Sequence, residues 1–196
     1  MTSGDARQLP SEWRIYLQQL PGLWPGKAVP VYEVHNIEPG DLHDWSDEDL
    51  TILVEEGRRQ ISRQSEDLER VRGRAQFLFI TTLGLLSLLL AAVGDIASVD
   101  SPWAFLIWSF GVLTVAFSLL GAVAVVVANK EVGIIDTARL SRQHNPILPE
   151  LAAAYARVVR KGENTNATQI TVYRDAVLLV LVGATLSGMA WFVAVT

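Results

Sequence analysis

The stretch Phe77–Val93, FLFITTLGLLSLLLAAV, contains no charged residue and consists mostly of leucine, isoleucine, valine and phenylalanine. A helix of about 20 such residues crosses a hydrocarbon core of about 30 Å, so this span is expected to continue to Asp95–Ala97. A second uncharged run, Trp103–Ala128, follows after a short connection. Residues 77–129 are therefore predicted to form a two-span transmembrane hairpin.

A third apolar run, Ala176–Thr196, ends the given sequence and is predicted to be a third transmembrane helix. Pro102 is expected in the first turn of the second span, where its missing N–H costs no hydrogen bond. Trp103 and Trp108 are expected at the level of the lipid headgroups. The predicted fold class is an all-α membrane protein with three transmembrane helices and a long cytosolic helix continuous with the first span. The predicted segments are an N-terminal cytosolic cap (1–45), a cytosolic heptad helix (46–76), the hairpin (77–129), a cytosolic helical segment (130–173) and the third transmembrane helix (174–196).

Basic residues are distributed unevenly around these spans. All sixteen lysines and arginines lie before the first span or between the second and the third. The positive-inside rule therefore places the N-terminus and residues 130–174 in the cytoplasm, and the hairpin tip and the C-terminus outside. Arginine greatly outnumbers lysine, as in GC-rich bacterial genomes, so the predicted location is a bacterial inner (plasma) membrane. The predicted membrane anchors are Arg70, Arg72, Arg74 and Lys130, with anionic lipid headgroups as the expected partner rather than nucleic acid.

The segment before the first span has a defined helix start and a heptad pattern. Ser46 followed by Asp49 resembles a capping box, with further acidic residues in the first turn. Apolar residues then recur at alternating steps of four and three, interrupted by Gly57 and Gln64. This seam supports either a coiled coil between subunits, which makes a homo-oligomer the expected state, or packing within one chain against the helix after span two. The seam residues are Leu50, Val54, Ile61, Gln64, Leu68 and Val71.

The N-terminal cap contains a short predicted helix, SEWRIYLQQL, that begins at Ser11. Trp13, Tyr16, Leu17 and Leu20 are expected to share one face of it. The aromatic tract that includes this helix has three interpretations. It lies on the inner membrane surface, covers the cytosolic helices, or receives a cytosolic protein partner.

The segment after the second span is predicted to be helical in pieces. Residues 130–140 continue as a helix, and the prolines of residues 145–149 break it. A short helix over residues 150–161 is expected to stop at Gly162, and a new helix beginning at Thr168 leads into the third span.

The spans lack the residues that membrane chemistry requires. None carries an ionisable side chain at mid-depth, where such groups mark catalysis or ion transport, so no enzyme activity and no cofactor are predicted. The chain has no cysteine, and His35, Asp41, His43 and Asp44 match no metal-ligand spacing. Small residues at four-residue spacing favour close helix packing, with a weakly polar pore lining as the alternative. The predicted span-packing residues are Thr114, Ser118, Gly183 and Ser187.

Residues 46–140 combine a cytosolic helix, a tight two-span hairpin and a cytosolic helical return. This arrangement resembles the SLATT-type and Pycsar-type transmembrane effectors of bacterial anti-phage systems, although the third span departs from a two-span pattern. The resemblance implies that oligomers disrupt the membrane once a cytosolic signal is sensed. It carries over no ligand residue.

These observations predict a non-enzymatic, oligomeric inner-membrane protein that perturbs or gates the membrane in phage defence or superinfection exclusion. One alternative is a membrane scaffold or accessory subunit that recruits a cytosolic partner through residues 1–45. Another is a holin-like pore former, although holins seldom have so long a cytosolic N-terminal region.

Overall fold

The computed structural model describes residues 12–23, 40, 42, 44–99, 101–127 and 147–195. These residues are almost entirely helical, and no strand occurs among them. The helices are α1 (Glu12–Gln19), a 3-10 turn (Leu20–Leu23), α2 (Asp47–Ala91), α3 (Val93–Ala97), α4 (Pro102–Val127) and α5 (Ile147–Val195).

Three of these helical stretches are long and apolar enough to cross a membrane. They are α2 with α3, α4, and α5, as the apolar runs of the sequence predict. Almost every backbone polar group of a helix is bonded within the helix itself, which is what a hydrocarbon solvent requires.

The start of α2 confirms the predicted cap at Ser46. The Ser46 hydroxyl accepts a hydrogen bond from the Asp49 backbone N–H at 3.2 Å and donates one to the Asp49 carboxylate at 2.6 Å. The first turn carries Asp47 and Glu48 as well, so three acidic side chains face the positive end of the helix dipole.

The helix ends at the hairpin tip also agree with those predicted from the sequence. Helix α2 ends at Ala91, and α3 carries the chain on to Ala97, where the first span was expected to end. Pro102 is the first residue of α4, as predicted.

Two predictions about the chain after the second span have different outcomes. The predicted helix over residues 130–140 lies outside the described residues. The predicted stop at Gly162 and restart at Thr168 are wrong, because α5 runs without interruption from Ile147 to Val195. A glycine destabilises a helix interior by only about 1 kcal/mol, so Gly162 does not end α5, and the end of the Gln64 side chain lies against it.

The chain divides into two compact units. The span unit consists of residues 1–30, 71–128 and 169–196, and the helix-pair unit consists of residues 31–70 and 129–168. In the span unit, Ile96, Trp108 and Ala190 form a buried apolar cluster. Trp108 is therefore a core residue, not the headgroup-level aromatic that was predicted, whereas Trp103 is largely exposed.

The helix-pair unit has its own core. Leu42, Leu50 and Ala152 are buried together, with Val54 and Leu148 among the partly buried residues around them. Within this unit, increasing residue numbers on α2 meet increasing numbers on α5, so the two helical segments run parallel.

Candidate functional site

Helices α4 and α5 cross the span unit in antiparallel directions and approach closely at two glycines. A Cβ at Gly111 would lie 2.9 Å from the carbonyl oxygen of Gly183. A Cβ at Gly183 would lie 2.6 Å from a methyl carbon of Val115 and 2.8 Å from the Gly111 carbonyl oxygen. Neither helix accommodates a larger side chain here without moving. The two backbones are therefore in van der Waals contact, which is how small residues stabilise helix pairs in lipid.

The predicted span-packing residues lie along this same contact. Gly183 and Ser187 meet Gly111, and Ser187 is buried with its hydroxyl bonded to the Gly183 carbonyl at 2.9 Å. Ser118 is buried and donates a hydrogen bond to the Ala176 carbonyl at 2.7 Å. Thr114 is buried too, and its hydroxyl is bonded to Phe110 within the same helix. Gly111 was not among the predicted residues, although it lies seven positions before Ser118.

Helix α1 packs against the carboxyl-terminal half of α4, and Tyr16 makes the closest contact. The Tyr16 hydroxyl donates a hydrogen bond to the Phe117 backbone oxygen at 2.5 Å. A Cβ at Gly121 would lie 2.6 Å from two ring carbons of Tyr16. The phenol therefore occupies space that only a glycine at position 121 leaves open.

The face that α1 turns towards α4 is only partly the predicted one. Ile15, Tyr16 and Gln19 are buried, whereas Trp13 and Leu17 are exposed. Burial raises the pKa of the Tyr16 phenol above its ordinary value; a backbone hydrogen bond from Gly121 acts in the opposite direction, and the charge of Asp175 adds to the rise.

Asp175 is an ionisable residue that directly precedes the third apolar run, Ala176–Thr196. It is buried next to Ala176, which is bonded to Ser118 of α4. The guanidinium of Arg174 lies 4.0 Å from its carboxylate and is half exposed. At 1.5 Å per residue, α4 continues for about 13 Å beyond Ser118 as an uncharged run. A buried acidic side chain thus lies beside the apolar length of α4, at the start of the third apolar run. The absence of an ionisable side chain at mid-depth of a span stays a prediction.

Some polar side-chain atoms of the span unit are buried without a hydrogen-bond partner in the part of the chain that the structure describes. They belong to Arg72, Thr82, Trp108 and Gln169. Each loses its hydration without a replacement bond, at a cost of about 1–3 kcal/mol. The span unit therefore combines an apolar exterior with a partly polar interior.

The heptad seam of α2 packs within the chain at several positions of the helix-pair unit. A Cβ at Gly57 would lie 2.9 Å from the Cβ of Tyr155. The Gln64 amide donates to the Val159 carbonyl at 3.0 Å, and its backbone oxygen accepts from Asn166 at 3.2 Å. These contacts favour the alternative of packing within one chain.

The remaining seam residues differ in burial. Leu50 and Leu68 are buried, and Val54, Ile61 and Val71 are partly buried. Association between subunits through this seam stays a prediction, and it would have to use the surface of the seam that α5 leaves exposed.

An open groove of about 290 Å³ lies beside this seam, between α2 and α5 of the helix-pair unit. Its floor is apolar and its rim carries both acidic and basic side chains. The lining residues are Leu53, Glu56, Gly57, Gln60, Ala156, Val159, Arg160 and Glu163.

The predicted anchor residues are placed differently from one another. Arg70 is exposed and contacts Asp67 at 3.0 Å and Glu66 at 3.6 Å. Arg72 is partly buried, Arg74 is exposed, and Lys130 lies outside the described residues. Exposed ion pairs such as that of Arg70 contribute only about 0–1 kcal/mol, and the binding of these residues to anionic lipid stays a prediction.

No group of three or more metal-ligating side chains occurs among the described residues. Of the histidine and aspartate residues considered for a metal, His35, Asp41 and His43 lie outside them. Three apolar helices and a tightly packed small-residue contact together define a multi-pass α-helical membrane protein. Comparisons with protein-family models, with curated proteins and with solved structures find no match.

Proposed function

We propose that this chain is a non-enzymatic subunit of a homo-oligomer in a bacterial inner membrane, and that the oligomer perturbs or gates the bilayer. The observation that carries the proposal is the unequal burial of the spans. Only 6% of the most apolar window of the first span is buried within the chain, against 44% for the second span. The first span therefore makes few contacts with the rest of its own chain, and most of its surface contacts lipid or a second copy of the chain.

The exposed side of the first span is not uniformly apolar. Thr81 and Ser87 are exposed, and each hydroxyl is bonded at 2.9 Å to the backbone of its own helix. Hydroxyls satisfied in this way are tolerated by lipid and also line weakly polar surfaces between helices. In an oligomer, these hydroxyls give the first span a surface that is hydrated more readily than a surface of leucine side chains.

The orientation in this proposal follows from the basic residues. The N-terminus and residues 130–174 are cytoplasmic, and the C-terminus is outside. The continuous helix α2 then joins the cytosolic helix pair to the first span. A conformational change that a bound signal causes in the cytosolic helices can therefore be transmitted along the backbone of α2 to the first span.

The biological setting in this proposal is phage defence or superinfection exclusion. Its support is the architectural resemblance to SLATT-type and Pycsar-type effectors over residues 46–140.

Induced expression tests the proposed activity. We expect membrane depolarisation and entry of a normally excluded dye, and we expect Leu88→Cys, on the exposed side of the first span, to give disulfide-linked dimers in native membranes. Ile96→Cys is the matched control, because Ile96 is buried in the same stretch of chain and should give none. Crosslinks without depolarisation would reject the gating activity, and the absence of crosslinks at residue 88 would reject the oligomer through this face.

The second candidate is a membrane scaffold that recruits a cytosolic protein and conducts nothing. The groove with an apolar floor and charged rim in the helix-pair unit favours it. Healthy, polarised cells after induction, together with loss of a co-purifying cytosolic protein on Ala156→Trp, would support the scaffold. Retention of the same partner in that variant would reject the groove as its site.

A further inference from the structure

We infer that residues 12–23 form an additional membrane-embedded element that does not cross the bilayer, and that its Trp13–Leu17 face binds the lipid of a single leaflet. This inference depends on α4 crossing a bilayer, and it does not depend on the gating proposal. Lipid, rather than protein, is the molecule that contacts the Trp13–Leu17 face.

The depth of the contact with α4 is the first argument. At 1.5 Å per residue, Phe117 and Gly121 lie about 21 and 27 Å along the helix from Trp103. If Trp103 marks one boundary of a core of about 30 Å, the Tyr16 hydroxyl lies about 3–9 Å inside the opposite boundary. Interfacial amphipathic helices are buried to about 5–10 Å at this boundary.

The way α1 is attached is the second argument. The Tyr16 hydroxyl is bonded to Phe117, and the ring rests on Gly121. The 3-10 turn Leu20–Leu23 also packs against α4. The segment is therefore fixed to the side of a membrane-spanning helix at two successive points.

The outward face of the segment is the third argument. Trp13 is 50% exposed and Leu17 is 55% exposed, and they lie one helical turn apart. On α4, Phe117 and Leu120 are also exposed near the Tyr16 contact. Exposed apolar side chains thus lie on both α1 and α4 near the Tyr16 contact.

The composition of the segment agrees with this position. Residues 12–23 contain two charged residues, Glu12 at the first position and Arg14, and the Arg14 side chain is exposed. A long arginine side chain can keep its aliphatic part in lipid and extend its guanidinium to the headgroups. Tryptophan is enriched at the same level, because its ring is apolar and its N–H seeks a polar partner.

Fluorescence quenching of the full-length protein in liposomes of phosphatidylethanolamine and phosphatidylglycerol tests the inference. The chain has no cysteine, so Trp13→Cys and Leu17→Cys each accept one fluorescent label at an exposed position. We expect both labels to be quenched severalfold more by a lipid with a nitroxide high on its acyl chain than by aqueous iodide.

Two control positions set the scale of the measurement. Leu113→Cys labels the exposed side of α4 near the middle of its apolar run and should respond best to a nitroxide deep in the acyl chain. Ile52→Cys labels an exposed position of the helix-pair unit and should respond to iodide. Labels at 13 and 17 that behave like the label at 52 would overturn the inference. Labels shielded from both quenchers would also overturn it, because protein would then cover this face.

Discussion

The Tyr16 hydroxyl and the Phe117 backbone oxygen form a hydrogen bond between residues 101 positions apart. The phenol ring reaches α4 because Gly121 leaves the necessary space. We expect Gly121→Leu to displace α1, since the leucine would overlap the ring. Tyr16→Phe keeps the ring contact and loses only the hydrogen bond, at a cost of about 1 kcal/mol.

Hydrogen exchange of residues 12–23 in detergent measures this difference. Gly121→Leu should accelerate exchange of the segment strongly, and Tyr16→Phe should accelerate it by a smaller factor. Gly94→Leu is the control, because a Cβ at that position meets nothing within 4 Å. Unchanged exchange in Gly121→Leu would mean that Tyr16 does not hold α1 in place.

The same phenol makes the attachment of α1 sensitive to alkaline pH. Burial raises the pKa of Tyr16 in the docked state, whereas a phenol in water has a pKa of about 10. Below pH 10 the phenol is protonated in both states, so docking is independent of the pH. Above pH 10 the undocked phenol ionises first, and docking weakens by up to about 1.4 kcal/mol per pH unit.

A fluorescent label at Leu17→Cys follows this transition between pH 8 and pH 11. We expect its spectrum to shift towards a more polar environment as the pH rises above 10. Adding Tyr16→Phe to the labelled protein should remove the pH dependence, because phenylalanine does not titrate. An equal shift with and without the phenol would assign the transition to another group.

The two glycines between α4 and α5 set the distance between these helices. Gly183→Leu should destabilise the span unit by about 1–3 kcal/mol, the usual cost of overpacking, because its Cβ alone would already meet Val115. Gly188→Leu is the matched control, one position beyond Ser187 and with nothing within 4 Å of its Cβ. Thermal unfolding in detergent, followed by circular dichroism, should separate the two variants. Equal melting temperatures of the two variants would show that the close approach of α4 and α5 at Gly183 does not stabilise the span unit.

Much of the fold could be predicted from the sequence because the lipid hydrocarbon offers the backbone no hydrogen-bond partner. A stretch such as Phe77–Val93 has one stable conformation in hydrocarbon, so its helix and its approximate ends follow from composition. The start of α2 was equally predictable, because the Ser46 cap is formed by residues within one turn. The first residue of α4, Pro102, is fixed by local geometry in the same way.

The features that were not predicted depend on contacts between distant segments. Gly162 resembles a helix stop, and the contacts of Val159 and Asn166 with Gln64 on another helix are not visible in the sequence. Periodicity grouped Trp13 with Tyr16, but the partner of α1 decides which side of the helix is buried. Asp175 directly precedes the predicted third apolar run, and its sequence neighbours do not show that its side chain is buried. Each of these needs the three-dimensional partner, which composition and spacing do not specify.

Gly57 lies at a similarly close helix approach in the helix-pair unit, and Gly73 on the same helix is its natural control. A Cβ at Gly57 would lie 2.9 Å from the Cβ of Tyr155, an atom too near its backbone to move away freely, whereas a Cβ at Gly73 meets nothing within 4 Å. Gly57→Ala gains about 1 kcal/mol of helix propensity but must separate the two helices, which costs about 1–3 kcal/mol. We therefore expect Gly57→Ala to lower the melting temperature in detergent, and Gly73→Ala, which has the same propensity gain without the overlap, to raise it. Stabilisation by both substitutions would show that α2 and α5 do not pack at Gly57.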